Sequence, residues 1–153
     1  MVTNIFNKYK DRCLTNKRVK ISFGDFTGLP FYDDIILNPE YAKKVEGLTY
    51  SIKYMTPLEY LSRITKTYAN KANRTNMTLE DEINIIKHDR NLINDLKHLF
   101  MSGIKIDMLV LDYARNVQEG RNRAYAVFEI NNDTCSNNLV KVMVVDKYPN
   151  TVR

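Results

Sequence analysis

The stretch from Gln118 to Ala126 holds the residues of this chain best suited to bind an anion. It reads Gln-Glu-Gly-Arg-Asn-Arg-Ala-Tyr-Ala and places Arg121 and Arg123 in the first turn of a predicted helix. Cations are unfavourable there, at a cost of about 0.3–1 kcal/mol each at a surface, because the helix dipole is positive at its N-terminus. Helix-start amides and guanidinium groups both bind phosphate well. The pattern therefore predicts an anion-binding site. Its candidate ligand-binding residues are Gln118, Glu119, Gly120, Arg121, Asn122 and Arg123.

Chemical roles for these residues follow from their types. Gly120 permits close approach of the backbone to a ligand, and the arginines offer forked donors that match phosphate. Glu119 could accept a hydrogen bond from a ribose hydroxyl or act as a base. Asp112, which ends the preceding apolar segment, is a second candidate for a catalytic or magnesium-binding residue, with capping of the turn as the alternative. Arg121 and Arg123 also have a structural alternative, in which salt bridges to Glu119 and Asp112 merely fix the turn.

Residues with the spacing of metal ligands are not evident in the sequence. His88 and His98 are too few and too far apart for a zinc site, which needs four ligands or three and a water, and we assign them to the surface. The run Glu80-Asp81-Glu82 lies in a predicted first helical turn, where the helix dipole explains acidic residues. We therefore predict no dedicated metal site.

Two apolar segments bracket the arginine-bearing helix. Residues 108–111 are all apolar, as in a strand buried on both faces, and residues 139–145 are apolar except for Lys141. The helix between them is predicted from Gly120 to about Ile130. Strand, helix and strand in this order predict a parallel pair with a right-handed crossover. The helix start is then expected at the carboxyl end of the first strand, where open sheets bind ligands.

The upstream sequence predicts further helices and strands, so the fold class is α+β. Thr56 and Glu59 form a capping-box pair with Pro57 between them, which begins a helix to about Tyr68. Thr78 and Asp81 cap a second helix that runs to about Met101. The other predicted elements are strands over 19–23 and 48–55 and a short helix over 38–44.

Length and composition indicate one ordinary globular domain. The chain has 153 residues, 44% hydrophobic and 27% charged, which suffices for a core. No apolar run approaches the roughly 18–20 residues that cross a bilayer, and the start lacks the apolar stretch of a signal peptide. Cys13 and Cys135 are isolated in the sequence, and we predict free thiols rather than a bridge. These features together predict a cytosolic protein without a membrane partner.

The positive charge is concentrated at the start of the chain. The net charge is +5, and the first 20 residues contain six cations and one carboxylate, so they account for all of it. A basic arm over residues 8–20 is a candidate contact for nucleic acid or for an acidic protein partner. The alternative is a solvated leading segment without a partner.

The arginine motif also resembles a known family. Glu-Gly-Arg-Asn-Arg-Ala over 119–124 is similar to the signature of the ParB/sulfiredoxin superfamily, in particular to the ParB-like domains found singly in phage and mobile-element proteins. Their pattern is Gln-Glu-Gly-Arg-His-Arg-Ala. Residues 55–61, Met-Thr-Pro-Leu-Glu-Tyr-Leu, resemble the Met-Ser/Thr-Pro-x-Glu-Tyr-Leu stretch upstream in those proteins. The resemblance implies a compact ParB-like α+β domain over residues 48–153, with residues 1–47 as a basic arm and leading segment outside it.

The resemblance also implies a ligand. In several branches of the superfamily the motif cradles a nucleoside triphosphate, so a nucleoside triphosphate with magnesium is the candidate cofactor. Members that partition chromosomes bind and hydrolyse CTP with a Gly-Glu-Arg-Arg-x-Arg-Ala box. Glu119, Arg121, Arg123 and Ala124 match that box, whereas Gln118 and Gly120 replace its first glycine and first arginine.

Two departures from the family bear on catalysis. Arg121 stands where sulfiredoxins carry their catalytic cysteine, which excludes that chemistry. Asn122 stands where histidine is usual, and asparagine cannot act as a general base near neutral pH. The resemblance therefore implies phosphate binding by Arg121 and Arg123 and leaves hydrolysis open.

Two functions of different class follow from these features. The first is nucleotide or phosphate binding by a ParB-like protein of a phage or mobile element. The second is a non-enzymatic, phage-type inhibitor or interaction protein that binds a host defence or nucleic-acid-processing complex, with the basic arm as a candidate contact. Binding of DNA through the arm alone is a third, and it predicts a steep loss of affinity with salt.

Overall fold

The computed structural model of this protein describes residues 19–24, 30–72 and 78–149. Within these ranges lie six α-helices and four β-strands. The helices are α1 (Pro30–Leu37), α2 (Pro39–Lys44), α3 (Pro57–Ala72), α4 (Leu79–Lys87), α5 (Arg90–Met101) and α6 (Arg121–Thr134). The strands are β1 (Leu48–Met55), β2 (Leu109–Asp112), β3 (Val117–Glu119) and β4 (Val140–Lys147). The predicted α+β class is confirmed.

The four strands form one mixed sheet in the order β1-β4-β2-β3. β1 pairs antiparallel with β4, and β2 pairs parallel with β4. The arginine-bearing helix α6 lies between these two strands in the chain. The parallel pairing predicted for the strands on either side of it is therefore confirmed. The sequence did not predict β3, which is three residues long and pairs antiparallel with β2.

The short strand β3 changes the position of the arginine motif. Asn116 adopts a φ of 56° in the turn after β2, and the chain then runs back along β2 with Val117 opposite Asp112 and Glu119 opposite Val110. Gly120 therefore lies near the amino end of β2. The expectation that the motif lies at the carboxyl end of this strand is wrong, because a hairpin intervenes before the helix.

Helices cover both faces of the sheet. One face packs against α3 and α6, which α4 and α5 contact in turn, and the other face packs against α1 and α2. Because side chains alternate along a strand, Val142 faces the first layer and Met143 the second. Both faces of β4 are buried, which explains why its sequence is apolar almost throughout. Ile35 and Ala42 in the leading segment contribute to this core.

The helix α3 begins and packs as its sequence predicts. The Glu59 amide donates to Thr56 Oγ1 at 3.1 Å, and Pro57 is the first helical residue. Leu58, Leu61 and Ile64 are buried in the larger core cluster. The helix continues to Ala72, beyond the predicted end at Tyr68.

The single helix predicted between Thr78 and Met101 is two helices. Thr78 and Asp81 form the predicted capping box, but the chain leaves the helical conformation at Asp89, where ψ is 56°. The break allows α4 and α5 to pack separately against the same core cluster. Ile85 and Leu99 are exposed, although the apolar residues of this segment recur at helical spacing.

Three further predictions concern residues outside the helices and strands. The strand expected over 19–23 is reduced to one bridge between Phe23 and Ile106. Cys135 is disulfide-bonded, so the prediction of a free thiol is wrong for this residue, and the expected cytosolic location loses that support. Cys13 and residues 8–18 of the basic arm lie outside the described residues.

None of the helices in the described part of the chain combines the length and the apolar character that crossing a bilayer requires.

Candidate functional site

Gly120 forms the junction between β3 and α6. Its φ of 126° is a conformation that residues with a Cβ rarely adopt, and a Cβ at this position would clash with the Leu109 side chain. The residue is the N-cap of α6, and as a glycine it has no side chain that could accept a hydrogen bond from the first-turn amides. The glycine therefore lets the helix begin directly against β2 and leaves its first turn without an N-cap side-chain acceptor.

A cleft of about 350 Å³ lies at this helix start. All six predicted ligand-binding residues border it, because β3 supplies the first two and the first turn of α6 supplies the others. Leu92 and Leu96 of α5 form an apolar wall. The sequence did not predict this wall, since it comes from a separate helix about 30 positions earlier.

Arg121 reaches from the cleft toward α4. Its Nη1 lies 3.4 Å from Oε1 of Glu82, whose side chain is fully buried. Glu82 Oε2 has no hydrogen-bond partner among the described residues. Burial raises the pKa of the Glu82 carboxyl, and the charge of Arg121 opposes that shift. Glu82 was assigned only a helix-dipole role from sequence, and the structure shows that it is also the buried counter-charge of Arg121.

Arg123 points to the other side of the helix, since residues two apart on a helix do not share a face. Its Nη1 donates to the Asp107 carbonyl oxygen at 2.8 Å, and its Nη2 lies 3.7 Å from Glu119 Oε1. The Arg123 side chain is 16% exposed and that of Glu119 is 57% exposed. The two arginines thus leave α6 on different faces, border the same cleft and each lie beside one carboxylate.

The structure places Asp112 away from this cleft. It lies at the carboxyl end of β2, about 10 Å along the strand from Leu109 at typical strand rise. The expectation that Asp112 lies near the arginine site is therefore wrong. The sequence also allowed that Glu119 and Asp112 form salt bridges with the two arginines. The bridge between Arg123 and Glu119 is present, whereas Asp112 pairs with Arg115 instead.

Asp112 is the centre of a separate buried cluster. It accepts hydrogen bonds from Tyr32 Oη at 3.1 Å, from the Arg115 amide at 3.0 Å and from Arg115 Nε at 2.6 Å. Burial, followed by the nearby charge of Asp112, raises the pKa of Tyr32 to about 12. This cluster attaches α1 to the turn between β2 and β3, which is a structural role.

The two motifs that carry the family resemblance are in contact. Tyr60, from the upstream motif, is buried on α3, and its hydroxyl lies 2.9 Å from the Val110 carbonyl oxygen and 3.0 Å from that of Glu119. A phenol has one proton to donate, so it bonds one of these oxygens at a time. Tyr60 thereby holds α3 against the β2–β3 hairpin beside the cleft.

The apolar wall of the cleft is held by ion pairs between α5 and α6. Arg90 donates from both Nη atoms to the Glu129 carboxylate, each at 2.7 Å. Lys97 bonds Glu129 at 3.2 Å and Asp133 at 2.9 Å. Because these pairs link the two helices, they fix Leu92 and Leu96 relative to the start of α6.

Comparison with known proteins does not identify the chain. No protein-family model, curated protein or solved structure matches it. The ParB-like assignment therefore rests on the two motifs and remains a proposal.

Proposed function

We propose that this protein binds a small phosphate-bearing ligand, with a nucleotide as the leading class, at the start of α6. In this proposal it is a ParB-like binding protein of a phage or mobile element and acts without catalysis at Asn122. One observation carries the proposal: a helix start whose N-cap is a glycine opens into a cleft that Arg121 and Arg123 both border.

The chemistry of the cleft suits an anion with an attached apolar group. The amides of the first helical turn and the guanidinium groups are donors that recognise phosphate oxygens. Leu92 and Leu96 offer a surface on which the flat face of a base could pack. The volume of about 350 Å³ lies within the range of small-molecule sites, roughly 300–1,000 Å³.

Titration calorimetry with inorganic phosphate, CMP, CTP, ATP and a short DNA oligonucleotide tests the proposal. At least one nucleotide should bind, and Arg123→Ala and Arg121→Ala should each weaken binding about ten- to a hundredfold, since a hydrogen bond to a charged group contributes about 1.5–3 kcal/mol. Lys44→Ala is the matched control, because it removes an exposed cation from α2, outside the cleft. It should stay within about twofold of wild type.

Two results would contradict the proposal. One is the absence of heat with every phosphate probe. The other is binding that Lys44→Ala weakens as much as the arginine substitutions do, which would indicate a general charge effect. Circular dichroism of each variant verifies that the fold is retained.

A second candidate, the interaction protein, is favoured by a different surface. Leu37 ends α1, Tyr41 lies in α2 and Val45 directly follows α2, and all three are largely exposed. Groups of exposed apolar side chains are common at protein contact sites. This candidate becomes the better one if the titrations give no heat.

A further inference from the structure

Both arginines of the cleft are offset by carboxylates at distances too long for strong bonds. Arg121 lies 3.4 Å from Glu82 and Arg123 lies 3.7 Å from Glu119, whereas charge-assisted N–H···O bonds measure about 2.7–2.9 Å. The carboxylates therefore reduce the positive potential of the cleft through their charge, at distances longer than those of strong charge-assisted bonds.

The two carboxylates differ in how strongly they act. Glu119 is mostly exposed, so water and salt screen its charge. Glu82 is fully buried on α4 and cannot turn toward solvent. Its Oε2 has no hydrogen-bond partner among the described residues, and charges interact more strongly away from water. Glu82 is thus the fixed counter-charge of the cleft.

The charge balance limits the ligand. With both carboxylates ionised, the four side chains sum to zero, and the helix start adds only about half a positive charge. This potential suits one phosphate group. It suits poorly a triphosphate, which brings several more negative charges toward Glu82. The cleft volume of about 350 Å³ also lies at the low end for ligand sites.

We infer that the cleft takes a ligand with a single phosphate group, such as a nucleoside monophosphate, in preference to a nucleoside triphosphate, and that Glu82 sets this preference. The inference rests on the proposed function, since it assumes that phosphate binds at this cleft. It also departs from the nucleoside triphosphate that the family resemblance implies.

The ratio of the affinities for CMP and CTP, measured by calorimetry without divalent metal, tests the inference. Wild-type protein should bind CMP at least as tightly as CTP. Glu82→Gln removes the buried charge and keeps the shape, so it should raise the affinity for CTP about tenfold more than that for CMP. Glu40→Gln makes the same change at an exposed first-turn position of α2 and should leave the ratio unchanged.

A second variant keeps the test decisive if Glu82→Gln does not fold. Glu119→Gln changes an exposed residue, and it should shift the ratio toward CTP by a smaller factor, about two- to threefold, because its charge is screened. The inference is overturned if wild-type protein prefers CTP, or if the ratio is the same in wild type and in the folded variants. Failure of both nucleotides to bind would instead overturn the proposed function, and this inference with it.

Discussion

The two ends of β2 carry arginine–carboxylate pairs of opposite character. At the carboxyl end, Asp112 is buried and accepts hydrogen bonds of 2.6–3.1 Å from Tyr32 and Arg115. At the amino end, Arg121 and Arg123 lie 3.4 and 3.7 Å from their carboxylates and border a cleft. The same residue types thus form a closed structural cluster at one end and an open site at the other.

The number of donors around each carboxylate explains the difference. Asp112 has at least three donors within hydrogen-bonding distance, so its charge is compensated despite burial. Glu82 is equally buried, yet one of its oxygens lacks a partner among the described residues. A carboxylate whose oxygens are saturated with donors stabilises the fold, whereas Glu82 pairs at 3.4 Å with Arg121, which borders a cleft. Local geometry therefore distinguishes the two ends where residue types do not.

Removal of the Asp112 carboxylate should have the largest effect on the free energy of unfolding. Asp112→Ala should lower the free energy of unfolding by about 3–5 kcal/mol, because it leaves the Tyr32 hydroxyl and Arg115 without their buried acceptor. Glu119→Ala removes a carboxylate at the opposite end and should cost less than about 0.5 kcal/mol, since its pair is exposed and long. Urea denaturation of both variants measures the difference. Equal losses would show that the two ends do not differ as described.

Two glycine substitutions test the close contact between α6 and the amino end of β2. Gly120→Ala and Gly103→Ala both place a Cβ at positive φ, at 126° and 81°, so both incur left-handed strain of about 1–2 kcal/mol. Only at Gly120 does the Cβ also clash with the Leu109 side chain, whereas nothing lies within 4 Å at Gly103. Gly120→Ala should therefore lose about 1–3 kcal/mol more than Gly103→Ala in urea denaturation. A similar loss in both would mean that α6 does not depend on close contact with β2.

Elements specified by local signals could be predicted from the sequence. Capping residues located the starts of α3 and α4, and largely apolar runs located β2 and β4. β3 was missed because Val117-Gln118-Glu119 has one apolar residue and pairs on one side only. The break at Asp89 was missed because the apolar spacing continues across it. Both depend on contacts between segments rather than on local preference.

The cleft also combines local and non-local features. The six residues from Gln118 to Arg123 could be predicted to lie together because they form one continuous motif, whereas Leu92 and Leu96 belong to another helix. The partners of the arginines could not be predicted, since Glu82 is 39 positions from Arg121 and the Asp107 carbonyl belongs to a different loop. The distance of Asp112 from the site could not be predicted either, because it follows from the hairpin that β3 forms.

The smallest expected effect concerns the closed cluster at high pH. The pKa of Tyr32 is raised to about 12 in the folded protein, above the ordinary tyrosine value of about 10. The stability that this shift provides is complete below pH 10 and is lost as pH rises toward 12, because the unfolded chain releases the proton first. Tyr32→Phe lacks this dependence. Its deficit relative to wild type at pH 8 should therefore shrink by about 1 kcal/mol at pH 11.

Urea denaturation at the two pH values measures this change. Tyr41→Phe, which alters an exposed tyrosine on α2, is the matched control and should follow the wild-type curve. Parallel curves for Tyr32→Phe and wild type would show that neither burial nor Asp112 raises the pKa of Tyr32. The carboxyl end of β2 would then be a looser cluster than its distances indicate, and the contrast with the open cleft would rest on the arginine contacts alone.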